Sequence, residues 1–137
     1  MTTWRDELLE AVKSKAEKES EEEERRKKRL GEALSVADDA MKKALDSLRF
    51  ADENLRGKNQ PSKLQEKKDA YALELHDMNL SVNLARDDAV VKVTFNDGRP
   101  REFDFAKDRH LSAKDVEEYV GRRAVELARA AQKTHPW

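Results

Sequence analysis

Residues 78–105, MNLSVNLARDDAVVKVTFNDGRPREFDF, commit the chain to a sheet. Met78, Leu80, Val82 and Leu84 alternate with polar residues, Val91, Val93 and Phe95 do the same, and Phe103 and Phe105 follow. A period of two sends successive side chains to opposite faces, so each run has one buried and one wet side. The intervening ARDDA and NDGRP are turn sequences, and Asp97-Gly98 is the stronger signal because Gly98 can take positive φ. The reading is an antiparallel meander of three strands. Its apolar face needs a cover, and the helical stretches before and after it are the candidates.

Residues 4–56 contain no proline and, as glycine, Gly31 alone. Trp4, Leu8, Leu9, Val12 and Ala16 form a short apolar stripe. Residues 17–29 then contain nothing apolar. Glu21 with Arg25, Glu22 with Arg26, Glu23 with Lys27 and Glu24 with Lys28 are (i, i+4) pairs with the acid N-terminal, the favourable orientation, each worth about 0.2–0.5 kcal/mol. Such pairing predicts a helix that crosses solvent without an apolar face. From Leu30 onward, Leu30, Leu34, Ala37, Met41, Ala44, Leu48, Ala51 and Leu55 are spaced alternately four and three apart. This heptad seam suits either a core-facing helix or a dimeric coiled coil. Ala33, Ala40 and Leu45 widen it enough to lie on a sheet, and its alanines favour close helix approach over a leucine zipper.

Gly57 reads as the glycine after the helix end, with Pro61 blocking continuation. The helix-or-strand choice at residues 64–76 stays open: Leu64, Lys67, Lys68, Tyr71 and Leu75 suit a short helix capped by Ser62. A strand from about Tyr71, entering the meander through a bulge at His76-Asp77, is the preferred reading and would make a fourth strand. Ser112 and Asp115 have the spacing of a capping box. From there to about Lys133, Val116, Tyr119, Val120, Ala124, Leu127, Ala128 and Ala131 line one side of an amphipathic helix that would close the sheet. Residues 134–137 are a tail.

The fold class expected is therefore α+β: a long N-terminal helix, a three-stranded, or with Tyr71–Leu75 four-stranded, antiparallel meander, and a C-terminal amphipathic helix. Residues 1–29 would be a charged helical extension and residues 30–137 a single domain, which suits a chain of 137 residues. Charged residues make up 42% of the chain, but the formal net charge is −1, so no global field draws it to nucleic acid or an anionic membrane. The absence of cysteine excludes disulfides, thiolate metal sites and thiol catalysis. With no basic-then-apolar leader and no apolar run of about 20 residues, the expected location is cytoplasmic and no membrane partner is expected.

No residue set looks catalytic. His76, His110 and His135 lack metal-ligand spacing, and Asp87, Asp88 and Asp104 occupy turn or strand-end positions where aspartate satisfies backbone amides. The phosphate-cradle and nucleophile-elbow glycine patterns are missing. The sequence thus predicts neither an enzyme nor a metal or cofactor site. The basic run Arg25, Arg26, Lys27, Lys28 and Arg29 is a candidate phosphate contact, although four of the five are matched to preceding glutamates. Arg99, Arg101, Arg122, Arg123, Arg129 and Lys133 could form a second basic surface if the hairpin tip lies near the last helix.

Residues 80–132 resemble the YbaB/EbfC family of small nucleoid-associated proteins. DDAVVKVTFNDGRPREFDF is similar to that family's strand pair around a glycine turn, and LSAKDVEEYVGRRAVELARAAQ to its alanine-rich closing helix. The resemblance implies a homodimer that binds DNA through nonspecific phosphate contacts made by basic residues of the helix ends; the candidates here are Arg25, Arg26, Lys27, Lys28, Arg29, Arg122, Arg123 and Arg129. The alternative is an adaptor or chaperone-like subunit that docks a partner protein through its long N-terminal helix. Trp4, Leu8, Leu30, Leu34, Met41, Leu48 and Leu55 would then form the partner or dimer seam.

Overall fold

A computed structural model describes residues 3–137. The chain opens with α1, Trp4–Ala11, capped at Thr3: the Asp6 amide donates to Thr3 Oγ1 at 3.4 Å and Thr3 N–H to Asp6 Oδ2 at 3.2 Å. A turn at residues 12–14 separates it from α2, Lys15–Gly57, whose cap is Ser14 accepting from the Glu17 amide at 3.1 Å. The extension is thus two helices, a short arm and the first turns of α2. Of the four expected (i, i+4) pairs, Glu23 closes with Lys27 at 3.7 Å, while Glu21 turns back to Lys13 at 2.9 Å. Exposed pairs gain too little to hold long side chains in register, and the lysine at the α1–α2 turn is a competing partner.

The first buried residue of α2 is Ala33. From there Ala37, Ala40, Met41, Ala44, Leu48 and Leu55 are buried in this chain's own core. The helix ends in a Schellman motif. The Gln60 amide reaches the Leu55 carbonyl at 3.0 Å and the Asn59 amide the Arg56 carbonyl at 2.9 Å. The left-handed residue is Asn59, at φ 59°, and not the expected Gly57, which is still helical. Asparagine tolerates that region because its short amide can bond locally.

The sheet has five strands, a correction to the expected three or four. They are β1 Ser62–Lys67, β2 Ala70–Leu75, β3 Met78–Ala85, β4 Val90–Phe95 and β5 Arg101–Asp104, paired antiparallel in strict chain order. The stretch open between helix and strand is the β1–β2 hairpin. Leu64 faces Leu73 across it and Ser62 faces Leu75. Asp69 and His76 take φ of 56° and 55°, so residues 68–69 and 76–77 make tight two-residue turns, and the expected bulge at His76-Asp77 is a turn. The β4 turn also differs from expectation. Asn96 and Asp97 take φ of 50° and 58°, closed by Gly98 N–H to the Phe95 carbonyl at 3.0 Å, and Gly98 is not left-handed.

One sheet face carries Leu64, Leu73, Leu80, Val82, Val93 and Phe103, and the other Gln65, Glu74, Asn83, Lys92 and Glu102. The apolar face is covered by α2 and by α3, Ala113–Thr134, side by side. The two run in the same sense. Arg29 and Val36 adjoin the loop before α3, and Lys58 adjoins Trp137 after it. The capping box appears as read, with Asp115 Oδ2 accepting the Ser112 amide at 2.8 Å. Among the described residues, no helix is long and apolar enough to cross a membrane.

Polar ties pin α2 to the sheet rim. Arg49 makes a two-pronged pair with Glu66, with Nε to Oε1 at 2.7 Å. Arg86 donates to both Asp69 and Asp38 at 2.8 Å, and this holds the Asp69 carboxyl below the usual carboxylate range. The nearly buried Asp52 accepts from Ser62 Oγ at 2.6 Å and forms an ion pair with Arg56 at 3.3 Å, while Arg56 Nε donates to the Ser62 carbonyl at 3.2 Å.

Candidate functional site

The sheet-facing stripes of α2 and α3 leave a groove on the outer side of the helix pair. Phe50 lies two residues past the buried Leu48, about 200° around the helix, and so points away from the core. Gly121, Ala124 and Ala128 on α3 are small, and they open a trough of about 720 Å³ floored by Ala51 and Leu55. Phe50, Val125 and Trp137 stand in its walls at 70%, 48% and 38% exposure. Lys43, Asp46, Lys58 and Glu117 supply charges of both signs along it. An apolar trough with a charged rim is the shape that receives an amphipathic helix.

Trp137 reaches the groove because the tail turns back after α3. The His135 amide bonds the Ala131 carbonyl at 2.7 Å, and Gln132 Nε2 donates to the Trp137 carbonyl at 3.4 Å. The His135 ring stacks on His76 at 3.9 Å, and His76 lies 3.3 Å from Gln60 Oε1. Two histidines far apart in sequence are thus brought together as a stacking clasp on the tail. Among the described residues, no group of three or more His, Asp or Glu side chains is placed to hold a metal ion. Asp104 does the local work expected of it, accepting from the Lys107 amide at 3.1 Å.

A second unpartnered surface is the arm. Trp4, Leu8, Leu9 and Val12 are all exposed, and α1 buries nothing. Trp4, Leu8 and Ala11 lie along one side of it. Its junction is fixed by Lys13, whose ammonium bridges Glu10 at 3.0 Å and Glu21 at 2.9 Å. The bond to Glu21, with Glu10, raises the Lys13 pKa, and Lys13 lowers that of Glu10.

The structure divides the residues singled out as a partner seam. Trp4 and Leu8 are open to solvent on the arm, and Leu30 and Leu34 are half-buried at the edge of the core. Met41, Leu48 and Leu55 are buried, so no partner helix meets them unless the core opens.

The basic residues fall in two places. Arg25, Arg26, Lys27 and Lys28 lie exposed on the projecting part of α2, with Arg29 exposed where α2 meets the loop before α3, and among the described residues Lys27 alone of the five is in an ion pair. Arg122, Arg123 and Arg129 lie on α3. Arg122 is engaged by Glu118 at 2.8 Å, and Arg123 by Glu126 while it covers the Tyr119 ring at 4.8 Å. Arg129 is about 24 Å down α3 from its first residue.

Phe50, Val125 and Trp137 went unremarked in the sequence. Their signal was present: Phe50 and Val125 are large apolar residues off their helices' core stripes, and Trp137 is an aromatic in a tail. Comparison with protein-family models, curated proteins and solved structures finds no match.

Proposed function

We propose that the protein is a non-enzymatic adaptor whose groove between α2 and α3 receives an amphipathic helix. The observation that carries this reading is the exposure of Phe50, Val125 and Trp137 around one apolar trough. Large apolar side chains rarely gather on a surface without an interaction to make. Aromatic anchors in such a trough would supply most of the affinity, and the charged rim its orientation. The test is titration of Trp4→Phe protein with a designed Leu/Lys amphipathic helical peptide, reading Trp137 emission. A saturable blue shift that Phe50→Asp abolishes supports the reading. No shift in a folded protein removes it.

A second reading, DNA binding by a homodimer, follows from the resemblance of residues 80–132. It is favoured by the exposed Arg25, Arg26, Lys28 and Arg29 on α2. Contacts there would be to phosphates and blind to sequence. Anisotropy of a labelled duplex titrated at several salt concentrations decides it. Binding through this run falls log-linearly with salt by counterion release, and absence of binding at low salt rejects it.

A further inference from the structure

We propose that the groove of one molecule receives the α1 arm of a second copy of this chain, reciprocally. This rests on the helix-in-groove reading and names the helix. The arm is an amphipathic helix whose apolar side, Trp4 and Leu8 with Val12 beyond it, is exposed and has no partner among the described residues. The groove is an apolar trough that no other described segment of the chain covers. Each surface is what the other lacks, and one chain carries both.

Geometry prevents a molecule from satisfying itself. From Ser14 to Phe50 the path along α2 is continuous helix, about 54 Å at 1.5 Å per residue. A short arm hinged at residues 12–14 cannot span that distance. A second molecule with its α2 reversed brings its arm to the groove, and the same two-fold axis returns the favour.

Size and charge agree. The arm is about 12 Å long, and the groove follows α2 from Lys43 to Lys58, about 22 Å. Two arm–groove contacts, each covering what remains exposed of Trp4, Leu8, Phe50 and Trp137, would bury on the order of 1,000 Å² in total, about what a specific interface needs. Glu7 and Arg5 on the arm have counterparts in Lys43 and Lys58, and in Asp46 and Glu117, on the rim.

Both tryptophans of the chain lie in this contact, Trp4 on the arm and Trp137 in the groove. The full chain is therefore examined by sedimentation equilibrium and by tryptophan emission over a concentration series. A dimer is expected, with emission shifting to the blue as it forms. Leu8→Asp and Phe50→Asp alter exposed side chains, so each is expected to keep its circular dichroism. Each should raise the dimer dissociation constant about 30-fold or more, as loss of an interface anchor does. Trp4→Ser and Val125→Glu serve as replacements if either variant loses helix. Mixing Leu8→Asp protein with Phe50→Asp protein leaves one intact arm–groove pair and should restore a heterodimer. The double variant mixed with itself should not dimerise. A monomer at every concentration, or a dimer indifferent to all these changes, overturns the proposal. If the chain is monomeric yet its groove binds the designed peptide, the second-copy inference alone falls. If neither association occurs, the groove reading falls with it.

Discussion

Leu48 and Phe50 are two residues apart on α2 and face opposite worlds, so truncating each tests the placement of the helix. Leu48 is 0% exposed, within the core between α2, α3 and the sheet, whereas Phe50 is 70% exposed. Leu48→Ala removes buried methyl and methylene groups and leaves a cavity that the packed layers fill only in part. The expected cost is about 3 kcal/mol. With an m-value of about 1.5 kcal/mol per molar urea, the unfolding midpoint should fall by about 2 M. Phe50→Ala should cost less than about 0.5 kcal/mol, since almost nothing buried is lost. Urea titrations followed by far-ultraviolet circular dichroism measure both, at a dilution where any dimer is dissociated. A Phe50→Ala cost equal to that of Leu48→Ala, or a Leu48→Ala cost under about 1 kcal/mol, would show that α2 is rotated from the orientation described. The same result would return the heptad seam to a partner.

Other perturbations have equally definite outcomes. Asp52→Ala strands the Ser62 hydroxyl and part of Arg56 near the foot of α2, and should lower stability by about 1–3 kcal/mol in the same urea assay. Asp97→Gly gives the left-handed second position of the Asn96-Asp97 turn its preferred residue and should raise stability by about 0.5–1 kcal/mol in thermal melts. Because Arg86 depresses the Asp69 pKa, the native state binds fewer protons there than the unfolded chain. That contribution is present above the unfolded value of about 3.9 and is lost as pH falls through the folded one. Arg86→Ala should thus melt below the parent protein at pH 7, and the gap should narrow below pH 4. A gap independent of pH would refute this account of Asp69.

The parts legible in the sequence were those in which burial imposes a period. Leu80, Val82 and Leu84 against Val91 and Val93 announce two strands because one side of each is buried. The closing helix is equally plain from Val116, Val120, Ala124, Leu127 and Ala131. The β1–β2 hairpin was harder to see. β1 is an edge strand with Leu64 as its one inward apolar residue, and Lys63, Glu66 and Lys67 blur the alternation. Edge strands carry such charges because they deter pairing with other chains. The turns misled in a different way. Asn59 takes the left-handed conformation expected of Gly57, Asn96 and Asp97 take the one expected of Gly98, and Asp69 and His76 take it where a helix or a bulged strand was expected. The groove could not be read because it belongs to neither helix alone: it needs the spacing between two helices that the sequence separates by five strands.

The order of the sheet has a kinetic consequence. Every strand pairs only with its neighbours in the chain, through turns of two to five residues, so the whole sheet can assemble by successive hairpins with little loop-closure entropy. The slow closure is elsewhere. α2 and α3 are each other's largest tertiary neighbours, yet the entire meander intervenes between Gly57 and Ala113. The folding barrier should therefore be the docking of the last helix beside the first. Substitutions in α3, such as Val120→Ala, should slow folding, while those in the turn at Asn96 and Asp97 should act on unfolding.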